Sequence, residues 1–163
     1  MSESAPQATT GQTFDDADAF AAVRAGEGRL IGMDLGTKTI GLALSDLRRT
    51  IASSLETIRR KKFSIDVVTL LDHAEEHAIA GFVLGLPINL DATEGPRAQA
   101  TRAFARNLNQ RSALPILLWD ERLTTQAATR LLIEADSSRK RRAEVVDKMA
   151  ATLILQGALD RMR

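Results

Sequence analysis

The sequence predicts an α/β fold, a mixed five-stranded sheet flanked by helices, and two observations carry that prediction. Apolar, glycine-punctuated runs of strand length open the folded part of the chain, and beyond them stretches of helical and of strand periodicity alternate. One domain suffices for both, because 163 residues with 44% hydrophobic content can bury a single core.

Residues 1–28 are rich in Ser, Thr, Gln, Ala and Asp with no sustained apolar period, so a flexible acidic tail, with room for a short helix over 14–24, is expected ahead of a folded domain at 29–163. The runs 30–36 and 39–46 are apolar and separated by Thr37 and Lys38, which predicts a hairpin, and 51–60 reads as a third, more polar strand. Val67, Val68, Leu70, Leu71, Ala74 and Ala78 then recur at helical spacing, and 80–86 reads as a buried strand ending at Pro87. Pro96 suits the first turn of a helix carrying Ala100, Ala103, Phe104 and Leu108, and 114–119 is the fifth strand. Ala127, Ala128, Leu131, Leu132 and Ala135 make another helical stripe. The last helix, over 142–161, sets Val145, Val146, Met149, Ala150, Leu153 and Ile154 on one face.

Composition narrows the chemistry. With no cysteine, disulfides and thiolate metal sites are excluded, so a bound metal must take oxygen or imidazole ligands. His73 and His77 stand one helical turn apart, but Glu75 and Glu76 between them and the lack of an evident third ligand read as a solvated helix face. No cationic stretch leads into an apolar run near the start and no apolar run reaches about 18 residues, so neither a signal peptide nor a membrane span is expected, and a cytoplasmic location is.

The net charge of +1 conceals an asymmetry. Residues 1–28 hold five acids against Arg24, a net of −4, and the remainder holds 21 basic against 16 acidic residues, a net of +5. The surplus clusters at Arg59, Arg60, Lys61 and Lys62 and at Arg139, Lys140, Arg141 and Arg142, where phosphates could be met; a solvated charge run is the plainer account of either cluster alone.

Three acidic positions point to a site. Asp34 lies inside a strand run, and alternation sets it with Gly32 and Gly36 on the face opposite Ile31, Met33 and Leu35. An ionised carboxylate there is costly unless something neutralises it, and the glycines leave room for an ion or phosphate to approach. Asp120 and Glu121 end the fifth strand, and alternation allows only one of them to share a face with a given neighbour without saying which. Asp147 borders the apolar stripe of the last helix near Ala150 and Ile154, where an ion pair with Lys148, Arg142 or Arg161 is the structural alternative to a metal site. A strand interior, a strand end and a helix bearing acids, without cysteine, suit hard ions, Mg2+ or Mn2+, which activate water in phosphodiester cleavage.

Four segments in order resemble the YqgF family: Asp34-Leu35-Gly36-Thr37-Lys38-Thr39-Ile40-Gly41; Leu84-Gly85-Leu86-Pro87 with Glu94-Gly95-Pro96; Asp120-Glu121-Arg122-Leu123-Thr124-Thr125; and Val146-Asp147-Lys148-Met149-Ala150-Ala151. These are bacterial RNase H-like proteins described as nucleases of the 16S ribosomal RNA precursor and, earlier, as Holliday junction resolvases, and the match spans about 29–160. The resemblance implies an RNase H-like fold, Asp34, Glu121 and Asp147 as the catalytic and metal-holding acids, and Glu121 rather than Asp120 facing the site. Lys38, Arg97, Arg122 and Arg139, Lys140, Arg141 and Arg142 would then lie near substrate phosphates. The expected partner is nucleic acid, structured precursor rRNA first and branched DNA second, with the chain a monomer or weak homodimer and no membrane involved. The chain departs from the pattern in its acidic start before Arg29 and in Ala150, which stands where many junction-resolving relatives of the wider superfamily carry a further acid.

Two other classes compete. Asp-x-Gly-Thr followed by Gly41 also resembles the phosphate loop of actin-like ATPases and sugar kinases, but those need two such domains to close on ATP. A catalytically silent nucleic-acid-binding module is disfavoured by the intact trio of acids.

Overall fold

The computed structural model describes residues 11–122 and 139–163, with the backbone alone for 24, 25 and 139–148. The described elements run β1 (Thr13–Phe14), α1 (Ala17–Ala22), β2 (Leu30–Leu35), β3 (Thr39–Ser45), β4 (Ala52–Arg59), α2 (Phe63–Glu76), β5 (Gly81–Leu86), α3 (Pro96–Asn109), β6 (Ile116–Asp120) and α4 (Arg139–Met162). The helical stripe expected at Ala127 to Ala135 lies outside the described residues.

Six strands form one sheet in the order β1-β6-β5-β2-β3-β4. β2, β3 and β4 are an antiparallel meander, closed at its first turn by the Gly36 N–H donating to Thr39 O at 2.9 Å. β5 and β6 add in parallel to β2 through α2 and α3, as the alternation of helix and strand requires. Both crossover helices cover one face, where Ile31, Met33, Leu35, Phe82, Leu84 and Leu86 meet Val67 and Leu70 of α2 and Phe104 and Leu108 of α3. Phe63 and Phe104 meet edge to face at 5.3 Å and tie the two helices together. The opposite face belongs to α4, whose Ala151, Ile154, Leu155, Ala158 and Leu159 pack on Leu30, Ala43, Val83 and Leu117.

The sixth strand comes from the segment expected to be a flexible tail. Thr13 and Phe14 pair in parallel with Ile116 and Leu117, and Gly11 N–H donates to Asn109 O at 2.8 Å. Asp16 caps α1 by accepting from the amides of Asp18 and Ala19, and Phe20, only 2% exposed, packs in the α4-side core with Phe14 against its edge. Removing a side chain buried to that degree typically costs about 3–5 kcal/mol, so residues 11–28 are part of the folded body. Two acids of this segment form ion pairs: Asp15 pairs with Arg102 at 3.3 Å and Asp18 with Arg161 at 3.1 Å. A two-residue strand is too short for alternation to register, and the apolar residues of α1 are diluted by acids whose partners lie more than eighty positions away.

Candidate active site

Asp34 lies near the C-terminal end of β2, half-buried, opposite Gly41 across the antiparallel pair. Its neighbours in alternation, Leu30 and Gly32, face α4, so Asp34 shares that side of the sheet, away from Ile31, Met33 and Leu35. In the parallel register Gly85 pairs with Trp119 and Leu86 with Asp120. Leu86 belongs to the α2 and α3 core, which assigns Asp120 to that face; there its carboxylate closes on Arg122 at 2.6 Å.

Glu121 turns to the other side. A Cβ built on Gly85 would stand 2.9 Å from Glu121 Cγ and 2.6 Å from Ile154 Cδ1, so the carboxylate stem and the α4 side chain meet in the space that Gly85 leaves open. Burial pushes the Glu121 carboxyl up to about 7; the charges of Asp34 and Asp120 add to the rise, and Arg97 opposes it. Asp34 on β2 thus lies near enough to Glu121, just beyond the end of β6, for its charge to oppose ionisation of Glu121. The remedy such an arrangement calls for is a cation, and oxygen donors favour a hard one.

The backbone of α4 carries Asp147, the third acid that the family resemblance implies. Asp147 stands four residues before Ala151 and seven before Ile154, along the stripe that seats on Gly32 and Gly85, and its side chain lies outside what is described. Gly32 is needed for that seating: a Cβ there would come within 2.6 Å of Leu155 Cβ.

Residues 28–161 match the sequence profile of the RuvX family, whose description is Holliday junction resolvase. The chain belongs to the RuvX family. This is the YqgF group indicated by the four motifs. A protein of Rhodobacter capsulatus named "Putative pre-16S rRNA nuclease" is 63% identical over 145 residues, covering 89% of this chain and 91% of its own. One of the same name from Paracoccus denitrificans is 57% identical over 149 residues, covering 91% of this chain and 94% of its own. Among solved structures, T. thermophilus RuvC in complex with a Holliday junction substrate superposes with a TM-score of 0.53 at 13% identity, covering 83% of this chain and 96% of that one. The fold is therefore RNase H-like, with β1 as an added sixth strand.

The basic residues that the resemblance sets near substrate phosphates divide into three groups. Lys38 is exposed in the turn that follows Asp34 and Leu35, and Arg97, in the first turn of α3, reaches toward Leu35 O at 3.4 Å while its charge acts on Glu121. Arg122 is closed on Asp120 through three contacts of 2.6–3.0 Å, on the face away from Asp34. Arg139, Lys140, Arg141 and Arg142 form the start of α4, with their side chains outside the described set.

Arg60 joins Lys38 and Arg97, although only its place in a basic run singled it out beforehand. Its Nη1 donates to Gly36 O at 2.6 Å and its amide to Lys38 O at 2.9 Å, which fixes the guanidinium against the turn beyond Asp34. The buried Asp66 carboxylate accepts the Lys61 amide at 3.0 Å and holds the rest of the run to the start of α2.

Proposed function

We propose that this RuvX nuclease hydrolyses phosphodiester bonds in the precursor of 16S ribosomal RNA, at its 5′ end, with Asp34, Glu121 and Asp147 as the catalytic acids. The observation that carries the reading is the seating of the Glu121 stem over Gly85 on the face of the sheet that carries Asp34, where burial and the Asp34 charge raise the Glu121 carboxyl to about 7. Relatives covering more than four-fifths of this chain at about 60% identity carry a precursor-rRNA nuclease name, which supports the RNA substrate.

The donor set fits a divalent ion, because two carboxylates that repel one another in a half-buried site are each relieved by a shared cation. Asp34, Glu121 and Asp147 would hold Mg2+ or Mn2+, which when bound supplies activation of water and charge neutralisation at the scissile phosphate. The chain's own residues perform the remaining work. Arg60 and Arg97, which donate to the Gly36 and Leu35 carbonyls, and Lys38, exposed in the same turn, would draw the phosphate backbone in and fix its position beside the acids. The glycine-lined approach over Gly85 keeps the Glu121 stem in one place, and the apolar side chains of α4 exclude bulk water from the floor of the site.

Resolution of branched DNA is the second reading, favoured by the description of the family. Cleavage of labelled 16S precursor RNA beside a four-way DNA junction, with Mg2+, Mn2+ and chelator, distinguishes them. The first reading expects metal-dependent cutting of the RNA and an intact junction; paired symmetric cuts in the junction by a dimer, with the RNA untouched, would replace it with the second.

A further inference from the structure

His73, Glu76 and His77 lie at the C-terminal end of α2, on the side of the sheet away from Asp34 and α4. Each can bring one donor atom within 4.8 Å of the other two, and among the described residues this is the group whose donors converge in that way. The spacing follows from the helix: His73-Ala74-Glu75-Glu76-His77 places the two imidazoles one turn apart, and their rings stack at 6.2 Å with planes 13° from parallel.

The edge strand supplies a fourth group. Glu56 pairs with Leu42 on β3, two positions from Ile58, and Leu42 and Ile58 both belong to the α2 and α3 core, so Glu56 faces α2 as they do. Its carboxylate accepts a hydrogen bond from His73 Nε2. With the proton on Nε2 the neutral ring carries its lone pair on Nδ1, an atom screened from solvent that has no hydrogen-bond partner. A carboxylate on one ring nitrogen and an unused lone pair on the other is the arrangement of a metal-ligating histidine, with the carboxylate fixing the tautomer.

We infer that His73, Glu76 and His77 form a second divalent-metal site, with Glu56 orienting His73, and that it takes a late first-row ion such as Zn2+ in place of Mg2+. Imidazole donors set that preference, since Mg2+ favours oxygen and dehydrates reluctantly. The ion would join α2 to the β4 edge through Glu56, so its expected effect is on the stability of that edge and leaves cleavage unaltered.

The test is calorimetric titration of Zn2+ into the full-length chain in excess Mg2+, with thermal unfolding measured alongside. Wild type and Asp34→Asn should each bind one Zn2+ and gain the same rise in Tm. Glu76→Gln and His77→Gln should each weaken binding by about tenfold or more and abolish the rise, while folding without zinc as wild type does because Glu76 is exposed and His77, at the C-cap of α2, is outside the core cluster. Full affinity in Glu76→Gln would reduce the cluster to an ordinary pair of surface histidines and overturn the three-ligand site. Loss of the zinc signal in Asp34→Asn with retention in His77→Gln would assign the ion to the catalytic acids and overturn it as well.

Discussion

The two faces of the sheet are built on opposite principles. Toward α2 and α3 the strands present Ile31, Met33, Leu35, Phe82, Leu84 and Leu86, a continuous layer of large side chains. Toward α4 the corresponding rows carry Gly32 and Gly85, and the room left there is taken by Leu155 and Ile154 of the helix and by Glu121. The first face contributes stability through volume. The second brings the helix close and leaves room over Gly85 for the Glu121 stem, on the side that carries Asp34. Bulk packing and the candidate acids Asp34 and Glu121 are thus divided between the two sides of strands only a few residues long, because alternate residues answer to different layers.

The largest expected effect breaks the chemistry and leaves the scaffold standing. Asp34→Asn should abolish cleavage with the fold retained, and the metal-free variant should be no less stable than wild type, since the charge opposing Glu121 is gone. Turnover within about tenfold of wild type, roughly 1.4 kcal/mol of barrier, would remove Asp34 from the catalytic set.

Glu121→Gln and Asp120→Asn compare the faces at adjacent residues. The first should cost far more activity than the second, whose side chain is spent on Arg122. Equal losses in one assay would mean that the division between faces does not extend past the end of β6.

Volume changes give the next contrast. Phe82→Ala empties the α2 and α3 layer and should lower stability by about 3–5 kcal/mol in denaturant unfolding. Gly85→Ala fills the other layer: its methyl would crowd Ile154 and Glu121, which should lower stability by only about 1–3 kcal/mol yet reduce cleavage at saturating metal. If both variants lose stability alone, Gly85 is packing and nothing more.

The smallest effect is a dependence on pH. The Glu121 carboxyl is raised from 4.5 to about 7, so between those values the folded protein holds a proton that the unfolded chain has released. Stability of the metal-free protein should therefore fall as pH rises through that window, and the difference between wild type and Glu121→Gln should isolate the contribution. A pH-independent difference would mean that Glu121 ionises freely and that Asp34 does not oppose it.

Sequence alone was enough for the order of the elements from β2 to β6, because each is a single local run whose period of two or 3.6 residues is complete within it. It was enough, too, to mark Asp34, since a carboxylate among apolar strand residues is conspicuous before any partner is known. Alternation narrowed Asp120 and Glu121 to one inward acid and the family resemblance favoured Glu121, but the physical reason lies in the register of β6 on β5, which sets Leu86 beside Asp120, and in Gly85 beneath Glu121. Tertiary structure also decided the fate of residues 11–28, whose short strand and acid-diluted helix have no meaning until Ile116, Arg102 and Arg161 are brought to them. The same holds for Glu56 and His73, seventeen residues apart on a strand and a helix. Local period is written in neighbouring residues, whereas a pairing between distant ones exists only once the chain has closed on itself.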